Sequence, residues 1–144
     1  MADTHTRILV HCVFSTKGRR PLIRMPEKLW SYLRGIARNR GADILAIGGT
    51  NNHVHVLLAL PSSLTIAQLM RDLKANSSRH VNEQTSGFAW QEGYAAISVS
   101  PSQVDVVRRY IQQQESHHGK RTFEDEYIAM LEKSGVQHSA YVLG

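Results

Sequence analysis

The chain has 144 residues, 42% hydrophobic and 20% charged, which suits one globular domain with a real core and excludes a disordered chain. Its longest strongly apolar run, about ten residues around Val54 to Leu60, is too short to span a bilayer, and the N-terminus lacks a signal-peptide layout. Net charge is +5 but uneven: residues 1–40 carry nine Arg and Lys against Asp3 and Glu27, while the rest carry eight against ten, which points to an anionic partner such as nucleic acid or, equally, to a solvated basic surface.

In chain order, "THTRILVHCVFST" alternates Ile8, Val10 and Cys12 with Leu9, His11 and Val13, which predicts a strand apolar on both faces and therefore central. "KGRRP" is a basic turn. "MPEKLWSYLRGIARNRG" sets Leu29, Leu33 and Ile36 at helical spacing, with Gly41 just past the end. "ADILAIGGT" and "NHVHVLLAL" read as two strands joined by a hairpin-like turn at "GGTNN". "SLTIAQLMRDLKANSSRHVNE" predicts a second helix buried through Ile66, Leu69, Met70 and Leu73, with Ser63 or Thr65 as its N-cap. "FAWQEGYAAISVS" reads as a last strand broken at Gly93. "SPSQVDVVRRYIQQQESHH" predicts a third helix, with Ser100 as N-cap, Pro101 at its first position and a buried stripe of Val104, Val107 and Ile111. "RTFEDEYIAMLEKSG" predicts a fourth, capped by Thr122 and stopped by Gly135. The order β-α-β-β-α-β followed by helices is of the α+β class, a ferredoxin-like split β-α-β sheet. That arrangement serves many unrelated functions.

One feature of the strands is chemical. Residues two apart on a strand share a face, so His53 and His55 point together while Val54 and Val56 point away. Two imidazoles so placed can grip one metal ion, but two ligands do not make a site. In "VVRRYIQQQE", Tyr110 and Gln114 stand four apart on a helical segment and so share a stripe. By spacing alone the plainer reading, a boundary tyrosine and a solvated glutamine, is favoured. Taken with the histidine pair, two imidazole nitrogens and an amide oxygen leave open positions that suit Mg²⁺ or Mn²⁺ better than a closed zinc site. Such an ion polarises a phosphoryl oxygen, and a nearby tyrosine then serves as a nucleophile. No general base is identifiable.

These residues resemble the small single-tyrosine HUH transposases of hairpin-ended, single-strand insertion sequences. "HUH" denotes His, a bulky hydrophobic residue, His; here it is His53, Val54 and His55 in "NNHVHVLL", and the family's tyrosine motif matches Tyr110 and Gln114 in "RRYIQQQE". "HCVFSTKGRRPLI", "LKANSSRHVNE", "FAWQEGYAAISVS" and "HHGKRTFEDEYIAMLEKSGV" extend the likeness along nearly the whole chain. The resemblance implies a transposase that cuts and rejoins single-stranded DNA. Tyr110 would attack the phosphate and form a 5′-phosphotyrosine link, with Mg²⁺ or Mn²⁺ held by His53, His55 and Gln114. It implies recognition of imperfect DNA hairpins near element ends, no need for ATP, and a homodimer in which one subunit's histidines often meet the other's tyrosine helix. It also implies a single domain over residues 1–144, with a ferredoxin-like core over about 1–99 and the tyrosine and C-terminal helices over 100–144. The setting implied is the bacterial or archaeal cytoplasm, at the nucleoid, which agrees with a lone cysteine, Cys12. A domesticated relative acting on repeated extragenic palindromes shares these motifs.

Lys17, Arg19 and Arg20 are expected to contact phosphates, with Lys74, Arg79 and Asn76 on the second helix as weaker candidates. Arg108 and Arg109 diverge around the helix, so at most one of them faces Tyr110. His117 and His118, adjacent on a helix, read as surface residues. Tyr32, Tyr94, Tyr127 and Tyr141 read as core or boundary packing, Trp30 and Trp90 as core, and Cys12 as inert. Two alternatives stay open: a binding module for single-stranded nucleic acid without chemistry, and a phosphodiesterase that uses water in place of a tyrosine.

Overall fold

The computed structural model describes residues 3–114 and 122–137. His117, His118 and Tyr141 lie outside the described residues. Four antiparallel strands, β1 (Ile8–Ser15), β2 (Asp43–Gly49), β3 (His53–Leu60) and β4 (Ala95–Ser98), form one sheet in the order β2-β3-β1-β4. Helices α1 (Pro26–Asn39) and α2 (Ile66–Gln84) close the split β-α-β units, so the fold is the α+β, ferredoxin-like one. Helices α3 (Val104–Gln112) and α4 (Phe123–Lys133) follow.

The alternation along the strands divides the sheet into two faces. Val10, Cys12 and Phe14 of β1 and Val54, Val56, Leu58 and Leu60 of β3 pack with Leu29, Leu33 and Ile36 of α1 and Leu69, Met70 and Leu73 of α2. Each fully buried leucine there contributes about 1.5–3 kcal/mol relative to exposure. The opposite face carries Val13, Ala46 and Leu57, against Ile111 of α3 and Phe123, Tyr127 and Leu131 of α4. A register shift between Ile44 and Ala46 marks a β-bulge, which lets Leu45 and Ala46 both contact the α3 side. Both β1 and β3 are interior strands, as expected of runs apolar on both faces.

Local chemistry sets the helix ends. Thr65 rather than Ser63 caps α2: its hydroxyl accepts from the Gln68 amide at 3.1 Å, and the Gln68 side chain accepts from the Thr65 amide at 3.2 Å. Thr122 caps α4 by accepting from the Asp125 amide at 3.2 Å.

Two expectations need correction. The last strand is confined to Ala95–Ser98; upstream, only a bridge between Thr16 and Trp90 remains, Gly93 turns with φ of 84°, and the Lys74 ammonium holds the carbonyls of Gln91, at 2.9 Å, and of Gly93. A side-chain donor has taken the place of a strand partner there. The third helix opens as a 3-10 turn over Pro101–Gln103 and α3 ends at Gln112, with Gln113 as its cap. Tyr94, 37% exposed with the Lys74 ammonium 5.8 Å from its ring centre, is a boundary residue as expected. Trp30 and Trp90 do pack against the main core, though each is only partly buried.

Cys12 is fully buried in β1, and burial pushes its thiol up to about 12. The folded protein is therefore expected to resist an aromatic disulfide reagent at about pH 8 and to release one equivalent of reactive thiol on denaturation; absorbance of the released thiolate checks this.

Candidate active site

The second face of the sheet gathers the chemistry. Antiparallel pairing of β1 with β3 sets Ser15 opposite His53, Val13 opposite His55 and His11 opposite Leu57. His11, His53 and His55 thus share one face with the α3 and α4 contacts. His53 is 0% and His55 1% exposed. Two buried imidazoles need polar partners, and each finds them on both ring nitrogens.

His53 Nδ1 lies 2.8 Å from Asn52 Oδ1 and 3.0 Å from Thr50 Oγ1, and His53 Nε2 lies 3.0 Å from Gln114 Oε1. His55 Nδ1 lies 2.8 Å from His11 Nε2, and His55 Nε2 lies 3.1 Å from Glu126 Oε1 on α4. Both rings are therefore held from behind through Nδ1 and present Nε2 to a common point. His11 is drawn down to about 3, first by burial and then by His55, with Glu126 opposing, so its ring is neutral. A lone pair on His55 Nε2 requires the proton on Nδ1, which then donates to His11 Nε2.

Tyr110 extends from α3 beside the pair. Its ring stands edge-on to His55 at a centroid distance of 5.7 Å and to His11 at 6.2 Å, and its hydroxyl donates to Glu126 Oε2. The side-chain amide of Gln114 donates back to the Tyr110 carbonyl at 3.3 Å. Gln114 is only 1% exposed, so the solvated glutamine that spacing favoured is replaced by a buried one. A cleft of about 460 Å³ between β4, α3 and α4 opens onto His11, Tyr110 and Glu126. His53, His55 and Glu126 offer ligand atoms within 4.8 Å of one another, and all three are buried. Two neutral imidazoles and a carboxylate, with an amide oxygen at hand, fit a divalent cation in donor type and charge. The second partners on each ring match the outer shell that orients histidine ligands.

The basic residues fall in two groups. Lys17, Arg19 and Arg20 form the loop after β1 and stand at the His53 end of the site: Asn52 donates to the Arg19 carbonyl at 3.3 Å, and Arg19 forms an ion pair with Glu124 of α4. Lys17 and Arg20 are exposed. Lys74 and Arg79 belong to α2, across the sheet. Lys74 is half-buried and bonded to the loop before β4, and burial lowers its ammonium despite Glu92 nearby; Arg79 is bonded to Asn76. Arg109 is exposed and Arg108 half-buried. Of the rival tyrosines, Tyr32 stacks on His80 at 3.9 Å and Tyr127 packs in the apolar cluster beneath α4.

Residues 4–114 match the family of transposases described as IS200-like. The chain belongs to that family. It is a transposase, an enzyme of DNA transposition. Among curated proteins this transposase is similar to the ISDra2 transposase TnpA of Deinococcus radiodurans, 25% identical over 120 residues that span 76% of this chain and 84% of the relative. Its fold is shared with a crystal structure of a candidate transposase from Deinococcus radiodurans R1, with a TM-score of 0.64 at 22% identity over 79% of this chain and 95% of the other. It is shared too with a REP-associated tyrosine transposase bound to a REP hairpin, with a TM-score of 0.63 at 16% identity over 83% of this chain and 75% of the other. Among the described residues no helix is long and apolar enough to cross a membrane.

Sequence reasoning missed two residues of this cluster. In sequence, His11 stands only as part of an apolar strand, and its place beside His55 depends on the β1–β3 register. Glu126 lay in an acidic run that reads as the solvated first turn of a helix. Only the odd-numbered histidine on an otherwise apolar strand face offered a signal, and for Glu126 there was none.

Proposed function

We propose that this transposase cleaves and rejoins single-stranded DNA with Tyr110 as its nucleophile. The phenolic oxygen attacks a backbone phosphorus, the bond from phosphorus to the 3′ oxygen breaks, and a 5′-phosphotyrosine and a free 3′-OH result. The proton lost by the phenol is matched by the one the departing 3′ oxygen takes up. Attack by another 3′-OH reverses the exchange and joins a new strand, so no ATP is consumed. The observation that carries this reading is the meeting of the Tyr110 hydroxyl with the His53–His55 cluster through Glu126, at the floor of an open cleft.

His53, His55 and Gln114 would hold Mg²⁺ or Mn²⁺, which when bound supplies a Lewis acid for the phosphoryl oxygen. The protein's own part is positional. Asn52, Thr50 and His11 fix the imidazoles, and α3 holds Tyr110 within reach. Lys17, Arg19 and Arg20 offer phosphate contacts beside His53, with Lys74 and Arg79 as weaker ones across the sheet. DNA hairpins near element ends are the proposed ligand, supported by the hairpin bound to the REP-associated relative. That likeness also favours a second reading, a domesticated enzyme acting on repeated palindromes. We further read the active species as a homodimer; the approach of Tyr110 to the histidines of its own chain favours a site assembled within one subunit.

The test uses each strand of the DNA flanking the protein's own gene, incubated separately with Mn²⁺ or Mg²⁺ and run on a denaturing gel. A covalent adduct on one strand, mapped to the Tyr110 peptide by mass spectrometry and reduced at least about 100-fold by chelator, is expected. Cleavage without an adduct, or an adduct indifferent to chelator, would overturn the reading.

A further inference from the structure

Helix α4 lies beyond the segment matched by the family, which ends at Gln114, yet it sends a carboxylate into the centre of the site. Glu126 is 3% exposed. Its Oε1 stands 3.1 Å from His55 Nε2 and 3.9 Å from His53 Nε2, while its Oε2 accepts from the Tyr110 hydroxyl. Burying a carboxylate is expensive unless it is paired or ligates a cation.

We propose that Glu126 is a ligand of the divalent cation together with His53 and His55, and that its second oxygen holds the Tyr110 hydroxyl, so that one carboxylate fixes the nucleophile relative to the ion. This rests on the reading of the site as metal-assisted. Three features carry it. The histidines are oriented from behind, so both Nε2 atoms face Glu126. The carboxylate gives the donor set a negative charge that two neutral imidazoles and an amide lack, and hard divalent cations favour such an oxygen. Finally, α4 is fastened over the histidines by the Arg19–Glu124 ion pair and by Phe123, whose ring stacks on His53 at 4.3 Å. Glu126 is thus a ligand and a positioning residue, with Gln114 as a neighbouring oxygen donor on the His53 side.

Mn²⁺ titration followed by electron paramagnetic resonance, on wild type and Glu126→Gln, tests this without DNA. The amide keeps the shape and can still accept from Tyr110, but it loses the charge. Mn²⁺ affinity is expected to fall at least about tenfold in the variant. In Mn²⁺-soaked wild-type crystals, an anomalous peak is expected within about 2.5 Å of a Glu126 oxygen. An affinity unchanged within about twofold, or an ion on the histidines with Glu126 out of coordination range, would overturn the proposal. Should the variant fail to fold, the anomalous map decides alone. A wild type that binds Mn²⁺ through Glu126 but forms no DNA adduct would sink the cleavage reading and leave this one standing. Adduct formation with Mn²⁺ affinity unaltered in Glu126→Gln would do the reverse.

Discussion

Tyr110→Phe is expected to abolish the covalent DNA adduct, lowering it at least about 1,000-fold, because the substitution removes only the proposed attacking oxygen. The ring remains, along with its edge-on contacts to His11 and His55, so the fold and the cleft are expected to persist. Loss of the hydroxyl deprives the buried Glu126 Oε2 of a donor, a stability cost of about 1–3 kcal/mol, smaller than the roughly 5–15 kcal/mol that holds a typical domain folded. Single-turnover adduct formation, measured with circular dichroism on the same sample, separates the two effects. Strand cleavage that survived in this variant would mean that water is the nucleophile and that Tyr110 only lines the site.

The second large effect is expected at a position with no functional group at all. Gly48 of β2 sits directly beneath α3: a Cβ built there would stand 2.2 Å from the Ile111 carbonyl oxygen and 3.1 Å from its carbon. Those are backbone atoms, which no rotamer change can clear. Gly48→Ala must therefore lift α3 or bend β2, and Tyr110 is the residue just before Ile111. Overpacking of this kind costs about 1–3 kcal/mol, while a displacement of about 1 Å at a reacting group costs about 100-fold in rate. The expected result is a modest loss of thermal stability with a loss of adduct formation of that larger order. Gly35→Ala is the matching control. It lies within α1 with no atom within 4 Å of its added Cβ, and a helical Gly-to-Ala change is expected to stabilise by about 0.5–1 kcal/mol and leave the chemistry alone. Equal rates in the two variants would show that the seat of α3 on β2 does not govern Tyr110.

The parts of this molecule that could be read from sequence are those governed by local periodicity. Leu29, Leu33 and Ile36, or Leu69, Met70 and Leu73, declare a helix face by spacing and are buried as a set. His53 and His55 declare a shared strand face, whereas the helical stripe expected of Tyr110 and Gln114 is cut short because α3 ends at Gln112. What could not be read depends on register and docking. His11 meets His55 only because β1 and β3 pair in one register. Glu126 resembles Glu124 and Asp125 beside it in type, yet it alone of the three is buried, because α4 turns that side of its first turn toward the sheet. The overlong last strand failed for a similar reason: the Lys74 ammonium, from a distant helix, occupies the carbonyls on which a strand reading relied.

Strand β3 assigns adjacent residues to different duties. Val54, Val56, Leu58 and Leu60 answer to the helical core, whereas His53 and His55 answer to the cluster around Glu126. The two duties share a backbone but few side-chain neighbours, and that makes them separable in descent. A lineage released from acting on DNA would be free to let the two histidines drift while its valines and leucines stayed under restraint, and it would still fold. Loss of chemistry in such a protein would leave its outline intact, so a likeness of shape would outlast a likeness of activity.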